Sequence, residues 1–134
     1  MTRSRLILLA VVGTLMGVGY VGSLQRNHPA PERRFVVVPE LSETGRAGAR
    51  TFGLHCAGCH GRDAGGTTTG PTLIDSIYRP AHHADASFVL AIRRGVAAHH
   101  WHFGNMPPVP GLNVDEVASI VHFVREVQKA NGVK

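Results

Sequence analysis

The chain of 134 residues has two cysteines, Cys56 and Cys59, and His60 follows the second directly. Thiols two residues apart beside an imidazole can do four kinds of chemistry. They can close a disulfide, run a dithiol redox cycle, supply half a zinc site, or add to the two vinyl groups of a porphyrin. A disulfide over so short a spacer is strained and easily reduced. A dithiol redox pair calls for a βαβ surrounding, whereas the flanks of Cys56 are helical in pattern and glycine-rich. Zinc needs two further ligands at motif spacing. No third cysteine exists, and none of the nine histidines forms a suitably spaced pair after Cys59. The residue after Cys59 favours the fourth chemistry. In Cys56-Ala57-Gly58-Cys59-His60 both sulfurs can hold one edge of a haem, and His60 then lies beneath the iron as its proximal nitrogen. Gly58 is expected to let the turn pass close against the macrocycle.

A second axial ligand has to come from elsewhere. Met1 and Met16 precede the folded part, so Met106 is its only thioether. It stands in Gly104-Asn105-Met106-Pro107-Pro108, where glycine and proline enforce a non-helical backbone. Core methionines sit on periodic segments, and this one does not. His99, His100 and His102 lie just upstream and compete for the same position. Trp101 between them can pack on a haem edge with its N–H on a propionate, or pack in the core without touching haem. His82 and His83, ahead of a helical segment, read as surface residues.

Three helices are expected to position these groups. The first runs from about Ser42 to Leu54, with Ser42 as N-cap and Phe52 on the packed face. The second spans roughly Ala86 to Arg94, capped by Asp85, with Phe88, Val89 and Ile92 inward and Gly95 as its stop. The last covers Val114 to about Lys129. Asn113 and Glu116 sit at capping-box spacing, and Val117, Ile120, Val121, Val124 and Val127 form an apolar stripe beside Phe123. The stretch from Arg62 to His83 has little periodicity. A structureless loop of that length in a compact domain is best explained by a cofactor that it wraps.

From about Leu41 to Gln128 the chain resembles the class I cytochromes c, the bacterial mono-haem branch in particular. The resemblance is carried by Gly48, Phe52 and Cys56 in a Gly-x-x-x-aromatic-x-x-x-Cys pattern, by Cys56-Ala57-Gly58-Cys59-His60-Gly61, by Gly70-Pro71-Thr72-Leu73, and by Met106-Pro107-Pro108, 46 residues after His60. It implies an all-α fold of three to four short helices around one covalent haem c, tethered at Cys56 and Cys59 and ligated by His60 and Met106. It also implies that the Pro71 carbonyl accepts a hydrogen bond from His60, and that the last helix crosses the first near Gly48, with Ile120 and Phe123 at the contact. The histidines at 99–102 depart from the family pattern.

Residues 1–25 read as a signal-anchor or signal peptide. Arg3 and Arg5 precede Leu6 to Leu24, 19 residues without a charge. As a helix they would span roughly 28 Å, close to the apolar thickness of a bilayer. The arginines would hold the N-terminus in the cytoplasm and send the remainder outward. Residues 26–40, with prolines at 29, 31 and 39, read as an extended linker, and residues 41–134 as the mono-haem domain. The formal charge of +5 comes largely from arginines ahead of the fold, and no basic stripe with interleaved aromatics appears, which disfavours nucleic acid as a partner.

The expected function is therefore one-electron transfer, not catalysis, on the periplasmic face of the inner membrane, or in the periplasm after cleavage. Its partners would be a membrane complex or an exported dehydrogenase. Two other functions stay open: a haem enzyme or gas sensor with a labile sixth ligand, and an electron-entry subunit of a larger oxidoreductase.

Overall fold

A computed structural model describes residues 35–134. It contains four α-helices, α1 Glu43–His55, α2 Ala57–His60, α3 Asp85–Arg94 and α4 Val114–Ala130, with a 3₁₀ turn at Ser76–Tyr78. Among the described residues there is no strand, only an isolated antiparallel bridge between Val96 and Met106. The expected membrane segment lies outside the described residues. Within them no helix is long and apolar enough to cross a membrane.

The core is the pairing of α1 with α4. Ser42 caps α1 through its side chain, which accepts from the Gly45 N–H at 3.0 Å. Asn113 and Glu116 complete a reciprocal capping box on α4, at 2.9 Å and 2.8 Å. The stripe on α4 is buried throughout, and Phe123 lies against Phe52 of α1 with ring centroids 5.2 Å apart. The two helices cross backbone to backbone. A Cβ on Gly48 would stand 1.9 Å from the Ser119 carbonyl oxygen and 3.0 Å from Phe123 Cβ. The Ser119 backbone joins Phe123 as the nearest neighbour of Gly48, and Ile120 also lines the cavity described below.

Helix α3 corrects two details of the sequence reading. Ala84 occupies the N-cap position without a side-chain bond, and Asp85 is the first helical residue, its carboxylate 2.7 Å from Arg125 Nε. Val89 is 36% exposed; Ile92 is the buried residue of this helix and Phe88 is half-buried. Gly95, at φ +73°, ends the helix as expected.

The segment 62–84 has no periodic apolar stripe; Ala64 and Ile74 enter the core, and two polar side chains of α4 fasten its backbone. Gln128, fully buried, donates from Nε2 to the Leu73 carbonyl at 2.8 Å and accepts from Arg125 Nη1 at 2.6 Å. Arg125 also donates to the carbonyls of Tyr78, at 2.7 Å, and His83, and its guanidinium lies over the Phe88 ring at 4.7 Å. At the N-terminal edge, Val37 exchanges two backbone bonds with the Asn131 side chain, at 3.0 Å and 2.8 Å.

Candidate functional site

Cys56 sits at the junction of α1 and α2, so the thiol pair and His60 are presented on a continuous helical path. Cys56 is buried and Cys59 exposed. His60 ends α2, almost buried, with its ring 6.5 Å from that of Phe52. Its Nδ1 lies 2.9 Å from the Pro71 carbonyl oxygen. A carbonyl can only accept, so Nδ1 carries the proton and Nε2 keeps its lone pair. Burial pushes the imidazole below the usual histidine range, with the Pro71 bond opposing, which favours the neutral, metal-ligating form.

The proline loop reaches His60 because it folds directly onto α2. A Cβ at Gly70 would stand 2.7 Å from both Cys59 Cβ and the Cys59 carbonyl oxygen, so only glycine permits the approach. Two threonines then satisfy carbonyls at the end of α2. Thr67 Oγ1 donates to Cys59 at 2.6 Å, and Thr69 Oγ1 to Gly58 at 3.3 Å. The sequence reading missed both, because threonines in a loop carry no periodic signal. Gly58 itself meets nothing within 4 Å of a built Cβ, so packing within the chain does not require a glycine there.

Met106 reaches the site from the other side. Its backbone exchanges both bonds with Val96, at 2.9 Å and 3.0 Å, and its carbonyl would lie 2.4 Å from a Cβ on Gly95. Val109 N–H donates to the Ile92 carbonyl at 2.8 Å, and Asn105 Oδ1 accepts from Ala98 N–H at 2.9 Å. The methionine loop is thereby pinned back onto α3. Trp101 donates its indole N–H to the Tyr78 hydroxyl at 2.8 Å, so that N–H is already committed within the protein. Burial raises the Tyr78 phenol above its ordinary range, the Trp101 bond opposes this, and the Asp75 charge adds to it.

Cys56, His60, Pro71 and Met106 all line one cavity of about 410 Å³, whose walls are mostly apolar. Cys59 is not part of that lining. Besides His60, three histidines border the cavity: His83, His99 and His100. His82 is exposed as expected, but His83 is half-buried, with Nδ1 2.7 Å from the Ile77 carbonyl. Slight burial and then the neighbouring His99, His83 and His82 hold His100 below the ordinary histidine range.

This donor set fits a covalently tethered haem. The cavity falls in the size range of sites for large organic ligands. Its lining holds the Cys56 thiol, a neutral imidazole with its outer nitrogen bonded, and a thioether, and the exposed Cys59 thiol stands at attachment spacing from Cys56. The rival chemistries fit worse. Burial, and then the neighbouring Cys59, push the Cys56 thiol up to about 11, opposite to the lowered value that activates a dithiol exchange site. Among the described residues, neither cysteine joins a cluster of three metal-ligating side chains.

A family model described as Cytochrome c matches residues 45–128. No curated protein and no solved structure matches the chain.

Proposed function

The chain belongs to the cytochrome c family and carries a covalent c-type haem at Cys56 and Cys59; from that premise we propose that it is a one-electron carrier ligated by His60 and Met106. The observation that carries the reading is that His60 and Met106 line one apolar cavity from opposite segments of the chain. When bound, the haem supplies a single reversible electron at its iron. The protein does the rest. Cys56 and Cys59 hold the group against α2. His60 keeps a proton on Nδ1, directed at Pro71, which fixes the ring and raises the basicity of Nε2. Met106 offers a soft sulfur, and a histidine–methionine pair leaves no open coordination position and raises the reduction potential. Apolar walls contributed by Ile92, Ile120 and Val124 keep water out.

The domain acts outside the cytoplasm, facing the periplasm, and residues 1–25 hold it to the inner membrane. What supports this is the run Leu6–Leu24 without a charge, preceded by Arg3 and Arg5. Its electron partners are a membrane complex or an exported dehydrogenase. Retention of the haem protein in carbonate-washed membranes is the expected result. Recovery in the periplasmic wash shows a cleaved, soluble carrier instead.

One observation favours a second reading: His99 and His100 border the same cavity, so an imidazole competes for the sixth position. Visible spectra of the purified protein, oxidised and reduced, with and without carbon monoxide, decide. The weak long-wavelength band of methionine-bound ferric iron, present in the wild type and lost in Met106→Ala, supports the carrier. Absence of that band without a carbon monoxide shift supports bis-histidine ligation. A carbon monoxide shift in the wild type supports a ligand-binding enzyme or sensor.

A further inference from the structure

Three histidines that the haem reading leaves unused converge at the edge of the cavity. His82 and His83 end the segment 62–84, and His100 lies in the loop leading to Met106. One ring nitrogen from each falls within 4.8 Å of the other two. The rings surround a common point, with centroids 4.7 Å apart for His82 and His83, 5.4 Å for His83 and His100, and 6.1 Å for His82 and His100. No carboxylate or thiol of the described residues joins the group.

The surroundings are those of a ligand set. His83 Nδ1 can only donate to the Ile77 carbonyl, 2.7 Å away, so Nε2 carries the free lone pair. A backbone carbonyl on the outer nitrogen is the bond that metal-ligating histidines characteristically make. The loop is held in place by Arg125, which donates to the carbonyls of Tyr78 and His83. Asp85, 2.7 Å from Arg125 Nε, offsets that guanidinium, so the clamp brings little net charge to the cluster. For a triangle with sides at the 4.8 Å limit, an ion at its centre would lie about 2.8 Å from each nitrogen. Closing by about 0.7 Å per side chain reaches the usual metal–imidazole bond of about 2.0–2.1 Å. His82 and His100 are exposed, with His100 packed at a tilt against the His99 ring at 4.1 Å, so that adjustment is a small rotation.

We propose that His82, His83 and His100 bind one divalent transition-metal ion of the Zn²⁺ or Cu²⁺ class at the rim of the haem cavity. Neutral imidazoles select such ions over the oxygen-seeking Mg²⁺ and Ca²⁺. Three protein ligands leave a fourth position for water or a small ligand. His83 and His100 border the cavity, so the ion's charge acts on the haem, favouring its less positive, reduced state. The site uses none of the residues assigned to the haem, and it requires only that His100 is not itself the sixth ligand.

The test is titration calorimetry of the oxidised, haem-loaded, full-length protein with Zn²⁺, which takes no electron from the haem. One Zn²⁺ per chain at micromolar affinity or tighter is expected. His82→Gln and His100→Gln each weaken it by about tenfold or more, whereas His55→Gln, on the exposed end of α1, binds like the wild type. The haem spectrum of each variant reports its folding. Saturating Zn²⁺ raises the midpoint potential of the wild type and leaves that of His100→Gln unmoved. The proposal is overturned by absence of stoichiometric binding, by binding in both glutamine variants as tight as in the wild type, or by a potential that bound zinc does not shift. Such failures with a normal haem spectrum leave the carrier reading intact. Loss of the haem spectrum from the wild type strikes that reading instead.

Discussion

Helix α1 and the segment 62–84 are held to α4 by different balances of apolar and polar contact. Where α1 meets α4, the contact is apolar and close: Phe52 on Phe123, and Gly48 against the Ser119 backbone. Where the segment meets α4, Ala64 and Ile74 enter the apolar core, and the irregular backbone is fixed by polar clamps, Gln128 on Leu73 and Arg125 on Tyr78 and His83. The first kind of contact builds a domain through area removed from water. The second holds an irregular backbone in one conformation through satisfied carbonyls, and leaves its other face open to a cofactor. A single helix therefore serves as core on one side and as scaffold for the haem loops on the other.

The sharpest way to break this comparison is at the crossing. Gly48→Val puts a branched side chain where even a Cβ would stand 1.9 Å from a carbonyl oxygen, and neither backbone can yield. Urea denaturation of the haem-loaded protein should show a loss of about 3 kcal/mol or more. A loss below about 1 kcal/mol would mean that the helices do not meet so closely.

Next in size is the polar clamp. Arg125→Met takes the guanidinium off the Phe88 ring and strands the carbonyls of Tyr78 and His83 and the Gln128 amide oxygen. The expected loss is about 2–3 kcal/mol, accompanied by faster hydrogen exchange confined to the segment 62–84 and the start of α3. Uniform acceleration across α1 and α4 would instead make Arg125 part of the general core.

A smaller effect tests the surface link between the two ends of the helix pair. Burial pulls the Glu126 carboxyl up, but bonds from the Ser42 hydroxyl and N–H, with His122 at 3.0 Å, outweigh that and hold it below the usual range. A depressed carboxylate stabilises the fold at neutral pH and loses that contribution as the pH falls through its folded value. Glu126→Gln should therefore cost less than about 1 kcal/mol at neutral pH, since the pair is near the surface. The gap from the wild type should close on acidification. A gap that widens in acid would reverse the assigned sign.

The smallest effect concerns Val89. Its place beside the apolar positions of α3 suggested burial, but it lies 36% exposed. Val89→Thr should change stability by less than about 0.5 kcal/mol, where a buried valine would lose clearly more.

Much of this protein is written locally. The attachment site, the proline loop and the methionine loop are each a few contiguous residues whose types dictate their backbone and chemistry. The caps at Ser42, Asn113 and Glu116 and the stripe on α4 follow from helical geometry alone. Sequence patterns therefore determined by themselves the all-α class, the order of elements and four residues of the cavity wall, Cys56, His60, Pro71 and Met106. They did not reveal Arg125 or Gln128, because a polar residue on a helix carries no mark of which distant carbonyl it will reach. Nor did they reveal that His83 is drawn inward and meets His82 and His100. That meeting joins two loops across the cavity rim, and only the tertiary structure decided it, by anchoring one loop to α4 and the other to α3. The physical reason is range: helical periodicity and turn chemistry act within a few residues, whereas carbonyl clamps and side-chain clusters depend on where the packed helices carry the chain.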